Sequence, residues 1–266
     1  MEMLLTTLYG FAARFRRIAD AYDGTAAESQ ELTELIDEYT RFIMNPHHQE
    51  IWTEIEQQDA REVMRLTAEL REVSARCVAI MEKYRALHFL NGGEERNGYF
   101  TNIESGIERE FGSFQVNTAS KVVMVGSGAF PMTPMLIGRR TNAEVLGIDI
   151  DEEAVQLSNE VLRKIGSRSP IRLLTGDIVQ FKAEMKQATH IIFSSTVAGK
   201  YGLLDRLYAL TSGQVVVAMR YGNHLKSLFN YPMEAVDETK WTLSEQILCS
   251  DQVFDVALYC KAQPKL

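Results

Sequence analysis

Apolar residues change their spacing once along this chain, near residue 120. Upstream, from about residue 3 to 112, they recur at helical intervals, as in Leu32, Leu35, Ile36 and Tyr39. The pattern predicts helices over 3–22, 27–44, 47–72 and 73–90. Asn45-Pro46 reads as a break, with Pro46 opening the third of them. Asn91-Gly-Gly-Glu-Glu-Arg-Asn-Gly98 reads as a loop, and Ile103, Ile107 and Phe111 space one more helix. Downstream, short β-branched runs at 121–125, 145–149, 171–174, 189–193 and 214–219 alternate with helical stretches near 131–140, 152–165 and 202–211. Strands separated by helices imply βαβ units and a parallel sheet. Two last runs, about 241–249 and 253–261, are joined by Ser250-Asp251 with no helix between them. They read as an antiparallel pair at the sheet edge. The expected division is a helical N-terminal domain over 1–115 and an α/β domain over 116–266.

Composition narrows the class of partner. The chain has 266 residues, 45% hydrophobic and 24% charged, enough for a substantial core. No apolar run reaches the roughly 18 residues that a membrane span needs. The apolar start is followed, not preceded, by Arg14, Arg16 and Arg17, the reverse of a secretory signal, so a cytoplasmic protein is expected. Cys77, Cys249 and Cys260 have no CxxC spacing and make neither a disulfide framework nor a zinc site. A net charge of −8 argues against nucleic acid as the partner and favours small molecules. His47 and His48 are adjacent; on a helix they point roughly 100° apart and do not readily share a metal, so no metal site is expected. The sequence leaves the oligomeric state open, a homodimer included.

The most informative segment is Val122-Val-Met-Val-Gly-Ser-Gly-Ala-Phe-Pro131. An apolar run ending in Gly126-Ser127-Gly128 reads as a buried strand turning into a helix, where glycines let the backbone approach a ligand. About 20 residues on, Asp149 ends the next apolar run, where a carboxylate can hold a ribose diol. Asp177, in Thr175-Gly-Asp177 after the third strand, could accept from an adenine amino group. A dinucleotide fingerprint wants a third glycine where this chain has Pro131. S-adenosylmethionine (SAM) carries no phosphates and does not need it. The five-strand parallel run with an antiparallel C-terminal pair likewise resembles the Rossmann-like fold of SAM-dependent transferases.

A SAM sulfonium offers three activated carbons, and orientation decides which one reacts. Here the chain resembles a family. Gly126-Ser-Gly-Ala-Phe-Pro-Met-Thr133 is similar to the cofactor loop of nicotianamine synthases and of the bacterial enzymes that make staphylopine-type metallophores. Gly98-Tyr-Phe-Thr-Asn102, Ile191-Ile-Phe-Ser-Ser195, Val217-Ala-Met-Arg220, Phe229-Asn-Tyr-Pro232 and Phe254-Asp-Val-Ala-Leu-Tyr259 extend the similarity through nearly the whole chain. The resemblance implies transfer of the 3-amino-3-carboxypropyl (aminobutanoate) group of SAM to the α-amine of histidine, with release of 5′-methylthioadenosine. D-histidine is the favoured acceptor on this likeness, and an opine-type dehydrogenase would complete the product. The alternatives are a SAM-dependent N-methyltransferase acting on a small amine, and a non-catalytic SAM-binding regulator.

The resemblance also implies site residues. Glu82 matches the acidic residue upstream of the family's tyrosine-rich loop and is the expected proton acceptor for the amine. Tyr99 and Asn102 match positions in that loop, as catalytic and substrate-binding residues; Ile103 stands where the family has a further tyrosine. Pro131 and Thr133 complete the cofactor loop. From their positions at strand ends, Ser194 and Ser195 are expected against the methionine portion of SAM. Arg220 is expected to clamp a substrate carboxylate with its guanidinium fork. Asn230 and Tyr231 would close the acceptor side. Glu104, Glu108 and Glu110 read as a charge-rich helix face.

Overall fold

A computed structural model of the chain describes residues 2–25, 29–58, 60–93, 110 and 114–263. Tyr99, Asn102, Glu104, Glu108 and the helix expected around Ile103, Ile107 and Phe111 lie outside the described residues, as does most of the 91–98 loop. Helices α1 (Glu2–Ala21), α2 (Ser29–Ile43), α3 (Pro46–Gln58) and α4 (Ala60–Leu90) come first. The α/β part follows as β1 (Lys121–Val125), α5 (Met132–Thr141), β2 (Glu144–Asp149), α6 (Glu152–Ile165), β3 (Ile171–Thr175), α7 (Lys182–Gln187), β4 (His190–Phe193), α8 (Lys200–Leu207) and β5 (Val216–Tyr221). It ends in β6 (Trp241–Ile247) and β7 (Asp255–Lys261). Short 3₁₀ turns occupy Ile178–Gln180 and His224–Leu228.

The predicted boundary near residue 72 does not exist. No glycine or proline interrupts Ala60–Leu90, so nothing stops propagation, and α4 runs 31 residues, about 46 Å. Ser74, at the expected boundary, is fully buried and donates its hydroxyl to Arg71 O at 3.3 Å. The six-residue α7 was not anticipated, being too short to show a period.

The sheet order is β3-β2-β1-β4-β5-β7-β6. The first five strands are parallel; β7 runs antiparallel between β5 and β6, the expected C-terminal pair. Side chains alternate across the sheet as the strand period requires. Val122 and Met124 join a core shared with α1–α6, while Val123 and Val125 join a second core on the other face with α7 and α8. The four N-terminal helices therefore share the core on one face of the sheet, with α4 packed against α6. Tyr39 links the layers: its hydroxyl donates to Leu228 O at 2.9 Å, and its ring meets Phe11, Phe15 and Phe229. Arg71 Nε donates to Ser227 O at 2.8 Å beside it.

Candidate active site

Strand order reverses between β1 and β4, so the loops leaving those two strands separate and open a crevice at the carboxyl edge of the sheet. After β1 the chain turns through Gly126 and Gly128, both left-handed at φ +76° and +68°. A Cβ on Gly126 would lie 2.7 Å from Val197 Cγ2 of the loop after β4. The turn is fastened to β2: Gly126 N and Ser127 N both donate to Ile148 O, at 2.9 and 3.3 Å. Gly147 in β2 leaves room for this, since its Cβ would meet Ser127 Cβ at 2.9 Å.

Asp149, at the end of β2, accepts from Gly128 N through Oδ2 at 2.8 Å and from Asp151 N through Oδ1 at 3.1 Å. A carboxylate has about four acceptor positions, so two remain for a diol. Ser127 Oγ is buried and has no hydrogen-bond partner among the described residues. A buried hydroxyl without a partner is costly unless a ligand supplies one. Both observations fit a nucleoside held at this loop.

The start of α5 is less suited to phosphate than most helix N-termini. Pro131 and Pro134 carry no N–H; Met132 N donates to Phe130 O at 2.7 Å and Met135 N to Pro131 O at 3.0 Å. Among the described residues only Thr133 retains a first-turn N–H without a partner, free for an anion. Pro131 itself is buried and shapes the turn.

Glu82 reaches this loop from α4. Its carboxylate lies against Gly128, where a side-chain Cβ would overlap Oε2. The residue as a whole is half-buried. Burial, with the nearby Asp149 charge second, pushes its carboxyl up to about 8, although the Ala129 N–H and the Arg85 and Arg220 charges pull it down. A group at that value is poised to exchange a proton near neutrality. The next residue, Lys83, fixes α4 in place: Nζ pairs with Asp151 at 2.8 Å and with Glu153. Asp151 is the N-cap of α6, its Oδ1 accepting from Ala154 N at 3.2 Å. Arg85, one turn on, stacks over Phe130 of the loop at 4.3 Å.

One cleft brings together Glu82, Gly126, Ser127, Thr133, Ser194, Ser195 and Arg220, with Val78, Met124, Phe130, Met132 and Phe254 as its apolar walls. Ser194 Oγ is 3.3 Å from Thr196 Oγ1. Arg220 is 4% exposed and its fork is already engaged: Nε and Nη2 donate to Oε1 and Oε2 of Glu110 at 2.7 and 2.9 Å. Nη2 also donates to Thr133 Oγ1 at 3.2 Å, and Phe254 lies under the guanidinium at 5.1 Å. Glu110 is 1% exposed, so it is no solvated helix-face charge. It is the carboxylate partner of the arginine in the cleft.

Three expected residues sit elsewhere. Asn230 is 2% exposed and braces backbone, its Nδ2 donating to Lys226 O and Val253 O at 3.2 and 2.7 Å, so it does not close the pocket. Tyr231 packs its ring under Arg71 at 5.3 Å and joins backbone bonds with Ser195 and Gly222. Asp177 caps the 3₁₀ turn by accepting from Val179 N at 3.1 Å and faces Arg206 at 3.5 Å. None of the three lines the cleft. His48 Nδ1 meets Phe42 O at 2.9 Å, and His47 lies exposed beside Glu50.

Sequence reasoning passed over Lys200. It is 1% exposed, and Nζ donates to Arg220 O, Ser195 O and Tyr231 O at 2.5, 3.2 and 3.5 Å. A lysine in the first turn of a helix opposes the helix dipole, and that mismatch was the available signal.

The switch point, the glycine turn and the acid after β2 define a Rossmann-like transferase site for a nucleoside-bearing ligand. The comparisons agree. The L-histidine 2-aminobutanoyltransferase of Yersinia pestis is 30% identical over 192 residues, which cover 70% of this chain and 69% of that protein. The protein of the same name from Pseudomonas aeruginosa strain UCBPP-PA14 is 26% identical over 193 residues, 73% of each. Among solved structures, a glutamate-to-glutamine variant of MtNAS, a nicotianamine synthase, superposes with a TM-score of 0.77 over 97% of this chain and 98% of that one. MtNAS in complex with MTA and tNA superposes with 0.76; at 15% identity both likenesses concern the fold, the N-terminal helical layer included. No family model matches the chain. The chain belongs to the histidine 2-aminobutanoyltransferase family.

Proposed function

We propose that this chain transfers the 3-amino-3-carboxypropyl group of SAM to the α-amine of histidine and releases 5′-methylthioadenosine. The observation that carries it is the Glu82 carboxyl, set against the glycine turn in a cleft that also holds Ser127, Ser194 and Ser195. The names of the relatives supply the substrate pair. Asp149 would hold the ribose, Ser127 and the 126–128 backbone the nucleoside, and Ser194 and Ser195 the methionine portion. Glu82 takes a proton from the acceptor ammonium. The freed lone pair attacks the γ-carbon, the C–S bond breaks, and its electron pair returns to sulfur. Tyr99 and Asn102 keep the roles that the resemblance implies.

In this reading the helices over 1–115 act as the cover of the α/β part over 116–266, excluding water from the reacting carbon. No helix among the described residues is long and apolar enough to cross a membrane. We place the reaction in the cytoplasm, in synthesis of a nicotianamine-like opine metallophore of the staphylopine type. An opine-type dehydrogenase would consume the product, and the enzyme would act as a homodimer. No group of three His, Cys, Asp or Glu side chains that could hold a metal occurs among the described residues, and the proposed chemistry uses none. The lean towards D-histidine finds no support in the relatives, which are named for L-histidine; we take the L form as acceptor.

Incubation with SAM and each histidine enantiomer, followed by mass analysis, tests this. The expected result is a histidine adduct heavier by one aminobutanoate group, with methylthioadenosine, formed faster from L-histidine. S-adenosylhomocysteine would assign methyl transfer instead, and SAM binding without turnover would assign a regulator.

A further inference from the structure

Among the described residues no carboxylate pairs with the ammonium of the buried Lys200; its hydrogen-bond partners there are three backbone carbonyls. An ammonium has three donors, and all three are used here. The carbonyls come from separate segments: Ser195 after β4, Arg220 at the end of β5, and Tyr231 beyond the 3₁₀ turn. Ser195 and Arg220 line the cleft with their own side chains. Tyr231 N donates to Ser195 O at 3.0 Å, and Gly222 N to Tyr231 O at 3.1 Å, so the three segments share one knot.

We infer that Lys200 is a positioning residue, whose ammonium holds the ends of β4 and β5 at the separation that lets Ser194, Ser195 and Arg220 face one substrate. A neutral side chain cannot do this. Parallel strands β4 and β5 are hydrogen-bonded only as far as Phe193 and Met219. Beyond that register β4 and β5 no longer bond each other, although β5 stays paired with β7, and like carbonyl dipoles converging on one point repel unless a cation lies between them. Other charges near Lys200 are those of Glu234, Arg71 and Arg220, none in a salt bridge with it. Burial draws the ammonium down to about 7, Glu234 opposing and Arg71 assisting, so the knot is fully charged only below neutral pH. A structural filler would be apolar; retention of a charged group among three carbonyls points to the geometry it imposes.

The inference rests on the proposed transfer only for its kinetic readout, and SAM binding provides a second. Lys200→Met keeps the bulk and removes the charge. It is expected to fold, to lower kcat/KM for SAM by about tenfold or more, and to weaken SAM binding measured by calorimetry to a similar extent. Lys200→Ala leaves space for the missing propylammonium. Added n-propylammonium is expected to restore formation of the histidine adduct and SAM affinity, whereas n-propanol, of equal bulk, is not. If Lys200→Met does not fold, Lys200→Ala refolded with propylammonium carries the same comparison. Wild-type SAM affinity in Lys200→Met, or equal rescue by propanol, would overturn the inference. A wild-type enzyme that binds SAM yet forms no adduct would overturn the proposed function instead, and the affinities would still decide the role of Lys200.

Discussion

The carboxylates of Glu82 and Asp149 converge on one residue, Gly128: Asp149 accepts its N–H at 2.8 Å, and Glu82 lies where its side chain would be. One acid belongs to the sheet and the other to a helix of the covering layer. The Asp149 charge raises the cost of charging Glu82, as the second cause of its upward displacement after burial. The site thus contains an acid for holding a diol and an acid for moving a proton, separated by a single glycine.

Turnover should rise with pH through about 8, as Glu82 loses the proton that blocks it as an acceptor. Glu82→Gln should lower kcat by about 10²–10⁴-fold. Stability moves the other way. The folded chain holds this proton more tightly than the unfolded chain, whose carboxyl titrates near 4.5, so the contribution is full below 4.5 and is lost as pH rises to about 8. A melting-temperature series across that window should slope downward more in the wild type than in Glu82→Gln, which has no proton to lose.

Gly128→Ala should disable the loop. An L residue at φ +68° is strained by about 1–2 kcal/mol, and its Cβ overlaps Glu82. SAM affinity should fall by tenfold or more. Adding Glu82→Ala removes the overlap but not the backbone strain, so titration of the double variant should recover part of the affinity and no turnover.

Breaking the Arg220–Glu110 pair should be expensive. Glu110→Gln leaves a buried guanidinium short of its counter-charge, a loss of about 3–5 kcal/mol by chemical denaturation. Glu110→Leu with Arg220→Met should recover most of that stability. It should not recover activity, because the cleft then lacks its cation.

Lys83→Met should loosen α4 where it meets the N-cap of α6. The expected loss of stability is about 1.5–3 kcal/mol, the range for hydrogen bonds to charged groups. Because Glu82 is adjacent, kcat should fall several-fold while affinity for methylthioadenosine changes little. Steady-state kinetics alongside calorimetry separates the two effects.

Much of the architecture was legible in the sequence because it is written in periods and punctuation. The switch from helical to strand spacing near residue 120, and the glycine turn after β1, place every strand to within about two residues. What escaped was set by contacts distant along the chain. Glu110 looks like one of several exposed acids until the fold delivers Arg220 to it. Asn230 resembles a pocket residue until Val253 O claims its amide. The boundary expected near residue 72 is absent for the opposite reason: apolar spacing shifts there, but no glycine or proline breaks the helix.

The prolines at the start of α5 carry a consequence for life among metabolites. ATP and NAD share the adenosine that SAM presents, and they press on any protein that binds adenosine. A helix start with one free first-turn N–H among the described residues gives their phosphates little to hold, so the loop favours a nucleoside whose 5′ substituent carries no phosphate.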